Sequence, residues 1–186
     1  ARTLFHEFGH GLHGMLSNVT YPSLSGTSVF TDFVELPSQL YEHWQEQPQV
    51  LQKFARHYQT GEPLPDDLLQ RFLAARKFNQ GFATVEFVSS ALVDLEFHSQ
   101  PASEIKDVRA FERAELEKIG MPEEIAMRHR PQQFGHLFSG GYYAAGYYSY
   151  MWSEVMDADA FGAFEEAGNI FDPAVAKRLL DDIYST

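Results

Sequence analysis

The stretch LFHEFGHGLHGML (residues 4–16) carries two patterns at once, and both require a helix. Phe5, Phe8, Leu12 and Met15 recur at helical spacing and predict an apolar stripe along one face, with His6, His10 and His13 roughly opposite. His6 and His10 stand four residues apart, and Glu7 directly follows the first, which is the H-E-x-x-H pattern of zinc sites. Residues i and i+4 of a helix lie one above the other, so the two imidazoles can point at one atom. Zinc takes nitrogen ligands at about 2.0–2.1 Å in tetrahedral geometry and keeps one position open in a catalytic site. Glu7 is turned away from that point and would reach a water rather than the metal, as a general base does. The alternative is a pair of polar surface histidines beside a core stripe. Gly9, Gly11 and Gly14 are poor helix formers, at about 1 kcal/mol each against Ala. They predict close backbone approach by a neighbouring element.

The rest of the composition narrows the chemistry. The chain has 186 residues, enough for one domain, with 44% hydrophobic and 22% charged residues. Its net charge of −12 argues against nucleic acid, whose phosphates need a basic face. No apolar run approaches the ~20 residues of a membrane span. With no cysteine, disulfides and thiolate ligands are excluded, and a metal must be held by His, Asp or Glu.

Further along, SNVTYPSLSGTSVFT (17–31) reads as loop, with a brief strand-like alternation at SVF. Helices are then expected from Asp32 to Trp44 with Pro37 in the first turn, from Pro48 to Thr60, from Pro65 onward, and from Phe78 to His98. Ser103 is expected to cap a charged helix that stops at Gly120. Pro122 opens a short helical turn, and RHRPQQFGHLFSGG (128–141) reads as loop. Tyr143 to Phe164 reads as the most aromatic helix, and Asp172-Pro173 starts the last. The fold class is all-α, without internal repeats.

A third ligand follows in TDFVELPSQLYEHW (31–44), where Glu35 would complete a His₂Glu set. Asp32, on the same face, could hold the other N–H of a ligand histidine. Equally, Asp32 could cap the helix and Glu35 complete a capping box. A second cluster is HLFSGGYYAAGYYSYMW (136–152). In the expected helix Tyr143, Tyr147 and Tyr150 share a face, near His136 and Gly140-Gly141. Such a stripe is either core or a set of protonated phenols able to donate to an oxyanion. Arg128 and Arg130, just before the loop, are candidates to bind a peptide carboxylate.

Four segments in this order, TLFHEFGHGLH, SLSGTSVFTDFVELPSQLYEHW, RKFNQGFATVEF and HLFSGGYYAAGYYSYMWSEV, resemble the M3 (thimet oligopeptidase-like) zinc metallopeptidases. The likeness is nearest to the bacterial peptidyl-dipeptidases and oligopeptidases of that family and spans almost the whole chain. It implies one zinc ion held by His6, His10 and Glu35, with Glu7 as base and proton shuttle. It matches His136, Tyr143 and Tyr150 to positions that bind substrate or stabilise the tetrahedral intermediate, and Tyr147 to a cleft position. The doubled tyrosine leaves Tyr142 and Tyr143 as alternatives for one family position. Family members carry hundreds of residues before H-E-x-x-H, so residues 1–186 are expected to be a single C-terminal catalytic fragment whose upstream part is missing. Short peptides are the implied substrates and a bacterial cytoplasm the implied location. Two other readings compete: a zinc-binding fragment without activity, and a di-iron carboxylate bundle. The bundle needs Glu-x-x-His on each of two helices, and only Glu7 to His10 supplies one.

Overall fold

The structure, a computed structural model, describes all residues from Ala1 to Thr186. Ten helices follow one another without a sheet. They are α1 (Arg2–Leu16), α2 (Thr31–Val34), α3 (Leu36–Gln45), α4 (Pro48–Phe54), α5 (Asp66–Ala75), α6 (Gln80–His98), α7 (Val108–Lys118), α8 (Gly135–Phe138), α9 (Ser149–Glu166) and α10 (Pro173–Leu179). The all-α expectation is met. No helix is long and apolar enough to cross a membrane. The backbone forms two compact units, one of residues 1–76 with 150–186, the other of residues 77–149.

In the first unit the core is built on Leu40, Phe161 and Phe164, with Trp44, Ile170, Val175 and Leu179 packed around them. The Trp44 ring stands edge-on to Phe161 and Phe164 at 5.1 and 5.0 Å, and its Nε1–H donates to the Ile170 carbonyl at 2.9 Å. The apolar ring is thus packed while its one polar atom is satisfied. Phe5 and Phe8 of α1 pack on Tyr41 of α3 at 5.2 and 5.9 Å. Phe8 and Met15 nevertheless stay exposed and the buried residues of α1 are Gly9 and His13, so the apolar stripe is not the buried face of the helix.

Of the α1 glycines, Gly9 carries the close approach. A Cβ there would meet the Pro37 carbonyl and the Ser38 Cα at 2.6 Å, whereas Gly11 and Gly14 face nothing within 4 Å. His13 shares the helical face of His6 and His10 but does not join them in the metal group. It is buried between Phe33 and Tyr184, with ring centroids at 6.5 and 6.2 Å, and burial pushes its imidazole down toward the neutral form.

Several sequence expectations are corrected. The single helix Asp32 to Trp44 is two, because the chain breaks at Glu35, which lies between α2 and α3 and flanks the end of one and the start of the other. Pro37 has no N–H for the carbonyl four residues back, and its ring crowds that carbonyl. The helix from Pro48 ends at Phe54 rather than Thr60. There the chain reverses, with Gly61 at φ 72° and an isolated antiparallel bridge between Arg56 and Pro63. Asp107, not Ser103, caps α7, since one carboxylate oxygen accepts the N–H groups of both Arg109 and Ala110 at 2.9 and 3.1 Å. No strand forms at SVF.

In the second unit, Phe97 of α6 contacts Phe111 and Phe138 edge-on at 5.4 and 5.3 Å, and Phe134 contacts Tyr147 at 4.8 Å. The 128–141 loop contains one 3₁₀ turn, Pro131–Gln133, and the single helical turn α8. The largest correction is at the aromatic helix. Residues 142–148 are turns, and α9 begins only at Ser149. Ala145 sits at φ 57°, a left-handed conformation that cannot continue a right-handed helix. Its N–H and that of Tyr147 go to the Asp94 carboxylate at 3.1 and 2.9 Å instead of to helical carbonyls. Tyr143, Tyr147 and Tyr150 therefore do not form one helical stripe.

Candidate metal centre

His6, His10 and Glu35 lie together in the first unit, with one ligand atom from each within 4.8 Å of the others. The Nε2 atoms of His6 and His10 stand 3.3 and 3.2 Å from the same Glu35 oxygen, Oε2. Ligands at 2.0–2.1 Å in tetrahedral array are themselves about 3.3 Å apart, and the two distances to Glu35 match that spacing. The donors, two imidazoles and a carboxylate, are those zinc prefers when no thiolate is present. The electrostatics agree. The hydrogen bond with Glu35, then that with Glu42, pushes the His6 imidazole up to about 9. The carboxylates of Glu35 and Glu42 on either side of His6 favour positive charge at this position.

Local structure explains how three residues from separate segments converge. The i, i+4 spacing stacks His6 on His10, with rings edge-to-face at 5.0 Å. Bare backbone at Gly9 lets α3 touch α1 one residue before His10. Glu35 is then set by the helix break and by Ser38, whose hydroxyl donates to its Oε2 and main-chain carbonyl, both at 2.9 Å. Glu35 is 1% exposed, so its orientation is fixed by these partners rather than by water. Neither α2 nor α3 has a side-chain cap, which removes the capping-box alternative for Asp32 and Glu35.

The partner of His6 is Glu42, not Asp32. His6 Nδ1–H donates to Glu42 Oε1 at 2.8 Å, which leaves the Nε2 lone pair for the metal position. Glu42 is also paired with Arg2. Burial acts to raise the Glu42 carboxyl, but the bonds from His6 and Arg2 hold it below its ordinary value. Sequence reasoning missed Glu42 and Ser38. Their signal was spacing, since Ser38 lies one turn and Glu42 two turns beyond Glu35.

Glu7 is exposed on α1 directly after His6. Tyr150, in the first turn of α9, belongs to the same unit, and its main-chain carbonyl accepts the Gln39 Nε2–H of α3 at 3.1 Å. His136 and Tyr143 belong to the second unit, where their rings stack at 4.4 Å, and Tyr142 stands edge-on to Tyr143 at 5.2 Å. Arg130 gives its guanidinium to buried Glu112, at 3.0 Å through Nε and 2.8 Å through Nη2. That engagement weakens its candidacy as a carboxylate binder. The dinuclear reading needs a second Glu-x-x-His, and the sequence holds only Glu7 to His10.

Comparisons with known proteins give the family of the chain. The sequence profile described as Peptidase family M3 matches residues 1–185. The chain is 45% identical over 171 residues to dipeptidyl carboxypeptidase of Escherichia coli, covering 90% of this chain and 25% of that protein. It is 42% identical over 187 residues to oligopeptidase A of Escherichia coli, covering 98% of this chain and 27% of the relative. Mitochondrial intermediate peptidase 1 of Cryptococcus neoformans is 35% identical over 184 residues, covering 96% and 24%. The chain thus spans about a quarter of the length of these relatives.

Proposed function

The chain belongs to peptidase family M3, and from that premise we propose that it is the catalytic portion of a zinc-dependent peptidase acting on short peptides. The observation that carries the reading is the convergence of His6 Nε2, His10 Nε2 and Glu35 Oε2 on one point. The names of the relatives point to peptide substrates, for this chain as for them. A bacterial cytoplasmic setting is part of the same proposal.

Zinc held by these three side chains supplies a Lewis acid that makes an attacking water acidic and polarises the scissile carbonyl. Glu7, beside the ligands and exposed to solvent, takes the proton of the attacking water and delivers it to the leaving amine. Glu42 keeps His6 in the tautomer that presents Nε2. Ser38 keeps Glu35 Oε2 turned to the ligand position. His136, Tyr143 and Tyr150 are assigned, by their match to family positions, to substrate binding and to stabilising the tetrahedral intermediate. A phenol stays protonated at neutral pH and donates without first being charged. The stack of Tyr143 on His136 supports Tyr143 over Tyr142 for that role.

The test is metal analysis with hydrolysis of a quenched peptide, in the protein that carries this chain in its full-length context. About one zinc per molecule and activity lost on chelation are expected. Glu35→Gln should weaken zinc binding by roughly 10-fold or more, because it removes a ligand's charge. Full zinc occupancy of Glu35→Gln under mild chelation would remove Glu35 from the ligand set.

A further inference from the structure

The second unit contains a buried carboxylate that the reaction above does not use. Asp94, on α6, is 2% exposed. Isolated charge at such a position is strongly unfavourable unless hydrogen bonds meet it. Here both oxygens are engaged. Oδ1 accepts the Ala145 N–H at 3.1 Å, and Oδ2 accepts the Tyr147 N–H at 2.9 Å. The His98 Nδ1 lies 2.8 Å from Oδ1 and 3.3 Å from the same Ala145 N–H. The two donors are main-chain amides about fifty residues away in sequence, in the turn that carries Tyr143. One of the two, Ala145, holds φ 57°, a conformation rarely adopted without glycine.

His98, one turn after Asp94, extends the same hold. Its ring stacks on Phe138 at 5.3 Å, and Phe138 ends α8, the turn that carries His136. One carboxylate is therefore tied directly to the segment bearing Tyr143 and, through His98, to the segment bearing His136. These two rings are the ones stacked at 4.4 Å. A helix supplies the anchor, and the anchored residues lie in turns.

We propose that Asp94 is a positioning residue of the peptidase reaction, fixing the Tyr142–Tyr148 turn so that Tyr143 and His136 are held as one preset pair. The inference rests on the roles proposed for Tyr143 and His136. It adds that their placement depends on a carboxylate with two acceptor atoms. An amide at the same position would accept from one amide N–H and turn its own NH₂ toward the other.

Asp94→Asn in the full-length protein is the main test, read by amide hydrogen exchange, zinc content, kcat and KM. Exchange at Ala145 and Tyr147 should quicken by about 10-fold or more, the effect of losing one charge-assisted hydrogen bond. The value of kcat should fall by roughly 10- to 100-fold through misplacement of the reacting groups, with zinc content unchanged. On a Tyr143→Phe background the same substitution should cost less than about 3-fold, because its effect passes through a hydroxyl already absent. Should Asp94→Asn not fold, His98→Ala takes its place, removing the imidazole beside Oδ1 and the Phe138 stack, with a smaller kcat loss in the same direction. Unchanged exchange at the two amides overturns the proposal. So does an equal loss in both backgrounds, or a fully active His98→Ala where Asp94→Asn does not fold. A wild-type protein with no zinc-dependent hydrolysis overturns the reading of the metal centre instead, and the exchange data still report whether Asp94 holds the turn.

Discussion

Gly9 and Ser38 meet backbone to backbone, so closely that a methyl group on Gly9 would lie 2.6 Å from the Ser38 Cα. This contact brings Glu35 to the histidines, since Ser38 orients Glu35 from the same turn. Gly9→Ala should therefore lower stability by about 1–2 kcal/mol, overpacking outweighing the gain in helix propensity. It should weaken zinc binding as well. Gly11→Ala, with open space around its Cβ, should instead gain up to about 1 kcal/mol. Melting curves of the two variants decide the matter: a rise for both would show that the contact is not close-packed.

Glu42→Gln should weaken zinc binding by about 10- to 100-fold, the usual range for losing a carboxylate behind a ligand histidine. The amide still accepts from His6 Nδ1, but the charge and the pairing with Arg2 are lost. Competition against a chelator of known affinity measures the effect. Wild-type affinity would show that Glu42 merely neutralises Arg2.

Glu7→Gln should keep zinc and melting temperature, because Glu7 is exposed and outside the ligand triad. Its kcat should fall by about 10²- to 10⁴-fold, the range for removing a general base. Near-normal turnover in the zinc-loaded protein would end its assignment as base.

Tyr150→Phe should lower kcat by about 10²- to 10³-fold with little change in KM, because an oxyanion donor acts mainly in the transition state. The substitution retains the ring and the main-chain carbonyl that binds Gln39, so packing of α9 is preserved. A fully active variant would reduce Tyr150 to a packing residue and shift the donor role to Tyr143 or His136.

Sequence by itself determined the features that depend on short spacing. The i, i+4 histidines on α1, the helical periods and the all-α class follow from the geometry of one turn. Glu35 was legible because it stands near the start of the helix after H-E-x-x-H, where a His₂Glu site takes its third ligand, and because the family resemblance matched it. Tertiary structure decided what depends on partners distant in the chain. The pairing of Glu42 with His6 spans 36 positions, and the capture of the Ala145 N–H by Asp94 spans 51. Local propensity favoured helix through Tyr143 and Tyr147, but a buried carboxylate on α6 offered their segment other hydrogen bonds, and Ala145 turned left-handed to reach them. A buried charge must find its donors wherever the fold brings them, and spacing along the chain does not encode that search.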